Sequence, residues 1–292
     1  EDGVERAQLV RESAADLAGA AVRGRPELGY DQAVDDADDR QVSVDCVVQA
    51  LQVDAVRIEE GLRGGRGGWV IGDTDTHDNV CRYICKKLNI KIFSVNYRLS
   101  PEFKFPIPFN DCFDAYEWIT NHAELLEIDS EMISVGGDSA GGNLATSICI
   151  ERKKKEKPLP KAQLLIYPAT DLRLVTNSMV KDCNAGFVLT EELMKWFVDH
   201  YLDSDELKND PRVSPLLAEK FDSLPPALII TAGFDPLRDE GLQYSEKLKQ
   251  DNVTVVYKEY PAYIHGFFNM LQIPGIKKSI DEICEEFKEL TK

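Results

Sequence analysis

From Trp69 to the C-terminus, hydrophobic and polar positions follow two alternating rhythms. Short apolar runs read as buried strands: IKIFSVNY (90–97), MISVGG (132–137), AQLLIYPA (162–169), PALIITAG (226–233) and VTVVYKEY (253–260). Between them the period lengthens to that of a helix. Phe109, Phe113, Tyr116 and Ile119 mark one face of FNDCFDAYEWITNHAELL, and further helices are predicted from about Ala140 to Lys153 and near 239–250. The last helix carries Ile276, Ile280, Ile283, Phe287 and Leu290 at spacings of 4, 3, 4 and 3. An irregular stretch with its own helix separates the third and fourth of these five runs. This alternation predicts an α/β fold with a mostly parallel central sheet and helices on both faces. Catalytic residues then belong in loops at the carboxyl ends of the strands.

Upstream of Trp69 the pattern is sparser. One helix is predicted from about Glu5 to Val22, with Ala7, Val10, Ala14, Leu17 and Ala18 near helical spacing. QVSVDCVVQALQVDAVRI (41–58) is β-branched and alternating, enough for one or two strands. Between Ile58 and the glycines of EEGLRGGRGGWVIGD (59–73) no further strand is predicted. The vocabulary also changes here. All 20 lysines lie at or after Lys86, whereas the first 68 residues hold eight arginines and a single isoleucine, Ile58. Two vocabularies in one chain point to a fused, frameshifted or separately derived N-terminal segment.

The bulk composition narrows the class. An apolar fraction of 43% over 292 residues suits a large globular domain. The net charge of −17 speaks against nucleic acid or an anionic membrane as a partner. No apolar run approaches the roughly 20 residues of a membrane span. Seven cysteines, odd in number and scattered, read as reduced thiols of a cytoplasmic protein. Cys81 and Cys85 share a helix face, but no second Cys/His pair completes a metal site, so no metal is expected. No secretory signal is read, although the chain starts at Glu1 without a Met.

SVGGDSAGGNLA (134–145) carries the strongest chemical signal. Gly137-Asp138-Ser139-Ala140-Gly141 fits G-x-S-x-G and stands after a buried strand and before a helix. Such a turn lifts the Ser139 hydroxyl to the top of the sheet, at a helix N-terminus that favours developing negative charge. A serine alcohol needs a base. Of four histidines, His77 lies beside a helix start, and His122 and His200 fall in helical patterns, where surface or capping roles are expected. Only His265, just past the strand at 253–260, is placed to reach Ser139. For the orienting carboxylate, Asp235 lies directly beyond the strand at 226–233. Asp239 is the rival, but it stands where an N-cap for the next helix is expected. The order Ser139, Asp235, His265 is that of α/β-hydrolases.

With these residues in hand, the chain from Trp69 onward resembles the hormone-sensitive-lipase-like carboxylesterases, bacterial family IV. The matching motifs are GWVIGD (68–73), NYRLSPE (96–102), GDSAGG (137–142), DPLRDEG (235–241) and HGF (265–267). The resemblance implies an α/β-hydrolase sheet under a small helical cap and cofactor-independent hydrolysis of short-chain acyl or aryl esters. Carried across by motif, the oxyanion-binding N–H groups are those of Gly67, Gly68 and Ala140. The chain departs from the family's His-Gly-Gly-Gly-Trp loop at Gly65 and Arg66, and EEGLRGG stands where a hydrophobic strand should precede it. Residues 1–40 then read as a helical segment related to the cap, and 41–292 as the catalytic domain with a cap insertion at about 171–217. In that insertion Thr190 reads as an N-cap, and Phe187, Trp196, Phe197 and Tyr201 either line an acyl pocket or pack.

Other functions fit parts of the same pattern. Gibberellin receptors share the resemblance as non-catalytic binders, but they lack the triad histidine that His265 supplies. An amidase or deacetylase would use the same groups, and a chain crippled by its N-terminal segment would retain them. A small-molecule ester is the expected partner, and the resemblance leaves room for a homodimer.

Overall fold

The computed structural model describes residues 46–52, 68–71, 74–182 and 188–292. The chain divides into Glu1–Val42 and Ser43–Lys292, and every described residue belongs to the second unit. The helix predicted at Glu5–Val22, Gly65, Arg66, Gly67 and Phe187 lie outside the described residues.

Among the described residues, six strands form one parallel sheet: β1 (Cys46–Gln52), β2 (Lys91–Tyr97), β3 (Ile133–Asp138), β4 (Gln163–Ile166), β5 (Ala227–Phe234) and β6 (Val255–Ile264). Their order is β2-β1-β3-β4-β5-β6, so the sheet reverses direction at β1 and then runs on in sequence order. Six described helices accompany them: α1 (Thr74–Leu88), α2 (Ile107–Asn121), α3 (Ala140–Lys154), α4 (Glu191–Tyr201), α5 (Arg238–Gln250) and α6 (Ile276–Leu290).

Strand alternation divides the core into two layers. On β4 and β5, Leu164, Ile166, Leu228 and Ile230 face one side, where Val80 and Ile84 of α1 and Ile276, Ile280, Ile283 and Phe287 of α6 cover them. Leu165 and Ile229 face the other side, against Phe109, Cys112 and Tyr116 of α2, Leu144 and Ile148 of α3 and Tyr244 of α5. The predicted face of the last helix is thus the face that packs. β3 and nearly all of α3 are buried, which fits a strand and helix at the centre of a doubly covered sheet.

Two strand ends differ most from the sequence expectation, each for a local reason. β4 stops at Ile166 because Tyr167 takes φ +36° and Pro168 follows, so the chain turns off the sheet. β6 continues past Tyr260 to Ile264, through Pro261, with a register shift against β5 between Ala232 and Phe234. The proline is tolerated because β6 is an edge strand. The extension matters, since it carries the chain directly to His265.

The segment between β4 and β5 contains a π-helical turn at Ser178–Asp182, α4, and two short 3₁₀ turns. Thr190 caps α4 by accepting the Leu193 N–H at 3.2 Å, with Glu191 and Glu192 in the first turn. The segment is pinned from below. The Glu240 carboxyl of α5 accepts the N–H groups of Thr170 and Asp171, and burial pushes that carboxyl well above its usual value. Ser178 donates its N–H to Asp239 and its hydroxyl to the Pro236 carbonyl.

Candidate active site

Ser139 follows β3 and caps α3 with φ +55° and ψ −117°, a conformation a non-glycine residue holds only where its surroundings over-determine it. Those surroundings are visible. The Ser139 N–H donates to the Ile166 carbonyl, and its carbonyl accepts from Asn143 and Ala169. Asn143, itself fully buried, donates its side-chain amide to the carbonyls of Ala169 and Val213. The turn also needs glycine at 137, where a Cβ would lie 2.3 Å from the backbone of Gly141.

Three predicted residues meet at this turn. His265 Nε2 lies 3.0 Å from the Ser139 hydroxyl, and His265 Nδ1 lies 2.7 Å from Asp235 Oδ2. Asp235 is fully enclosed, and its other oxygen accepts the Leu237 N–H, so the carboxylate is held from both sides. Ser139 and His265 each retain 8% exposure, enough for a small reactant to approach. A hydroxyl, an imidazole and a buried carboxylate in this chain of contacts can pass a proton from the hydroxyl to the ring. Asp239 sits in the first turn of α5 rather than at its N-cap, because the helix already begins at Arg238. Its carboxylate meets Ser178 and the Arg238 guanidinium instead.

The site opens into a cavity of about 430 Å³. Val188, Leu189, Leu193, Met194 and Phe197 form an apolar wall, and His77, Asp138, Asn269 and Gln272 form a polar one. Gly68, with φ +72°, lines the cavity beside Ser139, and Ala140 opens α3 directly after it. Of the predicted aromatics, Phe197 reaches the cavity. Tyr201 is buried and stacks on Trp69 with ring centroids 4.6 Å apart, and Trp196 points partly to solvent.

The expectation for His77 is overturned. It is buried, and its Nε2 lies 3.2 and 3.3 Å from the two carboxylate oxygens of Asp138 and 2.9 Å from Asn269 Nδ2. The residue beside the nucleophile carries a carboxylate, and a buried carboxylate needs a partner. That demand is legible in GDSAGG, but which histidine meets it depends on how α1 packs. His122 and His200 do follow expectation, each with Nδ1 at 2.8 Å from the carbonyl four residues before. Among the described residues, Cys81, Cys85, Cys112, Cys149 and Cys284 form no disulfide, and no group of three or more His, Cys, Asp or Glu side chains is placed to hold a metal.

Comparison with known proteins agrees with this architecture. A family profile described as α/β-hydrolase fold matches residues 65–269. A carboxylic ester hydrolase, LipN, of Mycobacterium tuberculosis is 44% identical over 216 residues, covering 72% of this chain and 57% of its own. An ethyl acetate hydrolase of Pseudomonas putida is 36% identical over 205 residues, 70% of this chain and 64% of that protein. The chain thus spans less than two thirds of the length of these two relatives. The crystal structure of EstE1, a thermophilic carboxylesterase from a metagenomic library, superposes with a TM-score of 0.78 at 33% identity, over 87% of this chain and 82% of that one. The chain belongs to the α/β-hydrolase-fold family, in its hormone-sensitive-lipase-like branch.

Proposed function

We propose that the protein is a serine carboxylesterase acting on short-chain acyl or aryl esters. The observation that carries this reading is the contact chain from the Ser139 hydroxyl through His265 to Asp235, at 3.0 and 2.7 Å, at the floor of a cavity. The ester hydrolases named above support it.

In this reading the Ser139 oxygen attacks the ester carbonyl while His265 Nε2 takes its proton, and Asp235 steadies the resulting imidazolium. The tetrahedral oxyanion accepts hydrogen bonds from the N–H groups of Gly67, Gly68 and Ala140. As the C–O bond breaks, the imidazolium returns the proton to the leaving alcohol. Water then attacks the acyl-enzyme with His265 again as base, releasing the acid and restoring Ser139. Esters are favoured over amides because an alcohol leaves more readily than an amine. We read residues 171–217 as the cap, with Phe197, Met194 and Leu193 facing the acyl group. The seven scattered cysteines, odd in number, favour a reducing, cytoplasmic setting. No described helix is long and apolar enough to cross a membrane.

The test is saturable hydrolysis of p-nitrophenyl acetate and butyrate, together with treatment by an organophosphate that phosphorylates reactive serines. Turnover and a single phosphoryl adduct on the peptide containing Ser139 support the reading. No turnover and no adduct from folded protein refute it.

The oxyanion assignment has its own test. A Cβ at residue 68 would lie 2.2 Å from the Phe197 ring, on a backbone with φ +72°. Gly68→Ala must therefore shift the loop or the ring, and a displacement near 1 Å at a reacting centre costs about 100-fold in rate. We expect a loss of that size in kcat, with partial recovery when Phe197→Ala is added to relieve the clash. Unchanged kinetics in Gly68→Ala would remove Gly68 from the oxyanion site.

A further inference from the structure

Beside Ser139 lies a second imidazole–carboxylate pair that no step of the proposed reaction uses. Asp138 ends β3 and is the nucleophile's own neighbour. His77 comes from α1, 61 positions earlier, and Asn269 from the turn four residues beyond His265. Both reach the Asp138 carboxylate, Asn269 at 3.4 Å, and Tyr167 donates its hydroxyl to the same oxygen at 3.4 Å. The Tyr167 ring in turn rests on His265, centroids 4.5 Å apart. One buried carboxylate thus gathers contacts from α1, from the end of β4 and from the loop that carries the base.

Taking the serine-esterase reading as its premise, we propose that Asp138 is a positioning residue for His265. The His77–Asp138–Asn269 cluster docks the His265 loop on the Ser139 turn, and its negative charge favours the imidazolium formed during attack. Two features support this. Asn269 and His265 share one short loop, so a hold on Asn269 limits where the imidazole can swing. Asp138 also lines the cavity with Ser139 and His265, so its charge acts within a partly dehydrated space where Coulomb forces are strong.

The cluster has a pH signature. The titratable groups facing Asp138 are His77 and Cys81 on α1, Tyr97 at the end of β2, Tyr167, and His265. Burial pushes the Asp138 carboxyl up, but the His77 imidazole, helped by His265, holds it below its usual value. A carboxyl lowered on folding contributes stability that is complete above the ordinary range and is lost as pH falls through the lowered value. Without His77 the burial effect is less opposed, and the carboxyl takes up its proton at higher pH.

The experiment compares wild type, His77→Gln, Asp138→Asn, the double variant and the milder Asn269→Ala. Each is measured for kcat and KM on p-nitrophenyl butyrate across pH, and for thermal midpoint across the same range. The expected result is a loss of about 10-fold in kcat with KM little changed, the factor for one lost charge-assisted hydrogen bond. In Asp138→Asn the acid limb of kcat/KM moves to lower pH, because the charge that favours the imidazolium is gone, and the double variant is no worse than Asp138→Asn. If Asp138→Asn does not fold, Asn269→Ala must show the same kcat loss. An unchanged kcat and an unmoved acid limb overturn the proposal, as do additive losses in the double variant. If wild type shows no Ser139-dependent turnover, the esterase reading fails separately, and the cluster is judged on stability alone. His77→Gln must then lose thermal stability at a higher pH than wild type, and coincident curves overturn the proposal.

Discussion

Ser139→Ala is expected to reduce kcat for p-nitrophenyl butyrate by at least about 10⁴-fold and by as much as roughly 10⁶-fold, leaving the residue of activity that binding and oxyanion contacts alone provide. Among the described residues, the Ser139 hydroxyl is the one group in the cavity that both touches His265 Nε2, at 3.0 Å, and stands at the N-terminus of α3. Its removal deletes the acyl-enzyme route, and the organophosphate adduct disappears with it. Stability should change little or rise, because Ser139 holds a strained backbone, and alanine keeps that strain without a buried hydroxyl to satisfy. Steady-state kinetics and a thermal melt on the same sample check both halves. A variant that retains near-wild-type turnover would place the chemistry elsewhere in the molecule.

Asp235→Asn is expected to cost about 10⁴-fold in kcat with KM nearly unchanged, the size seen when an amide replaces the carboxylate behind a catalytic imidazole. The physical reason is tautomer control. Asp235 Oδ2 accepts from His265 Nδ1, which leaves Nε2 free to take the serine proton. An asparagine amide can donate to Nδ1 instead and turn the ring to the wrong tautomer. The fold should survive, since the Asn oxygen can still accept the Leu237 N–H that Asp235 Oδ1 now accepts. Asp239→Asn is the control. Its carboxylate serves Ser178 and Arg238, so its loss should move stability more than kcat. Equal kinetic losses at the two positions would mean that the buried carboxylate is not the orienting one.

These two expectations rest on residues whose placement at strand ends is legible in the chain itself. Strand period locates β3, β5 and β6, and a polar residue directly past each strand end has one natural place to go. Other positions are not legible, because their roles depend on helix phase. Trp196, Phe197 and Tyr201 all sit on α4 within six positions, yet one faces solvent, one the cavity and one Trp69. Each step along a helix turns the side chain by about 100°, and only the docked orientation of α4 says which direction is inward. Asp239 departs from its expected capping role for a smaller reason, because α5 begins at Arg238 with Leu237 as its N-cap.

The parallel α/β sheet and the order Ser139, Asp235, His265 follow from the chain alone, because strand periodicity and turn glycines are local properties of the backbone. Folding in three dimensions was needed to pair His77 with Asp138, to anchor the chain after β4 on Glu240, and to close Phe197 over Gly68. Those pairings join residues 61, 70 and 129 positions apart in the chain. No local signal encodes which distant partner arrives. That choice is made when apolar layers on the two sides of the sheet pack and bring whatever polar groups they carry into the same buried space.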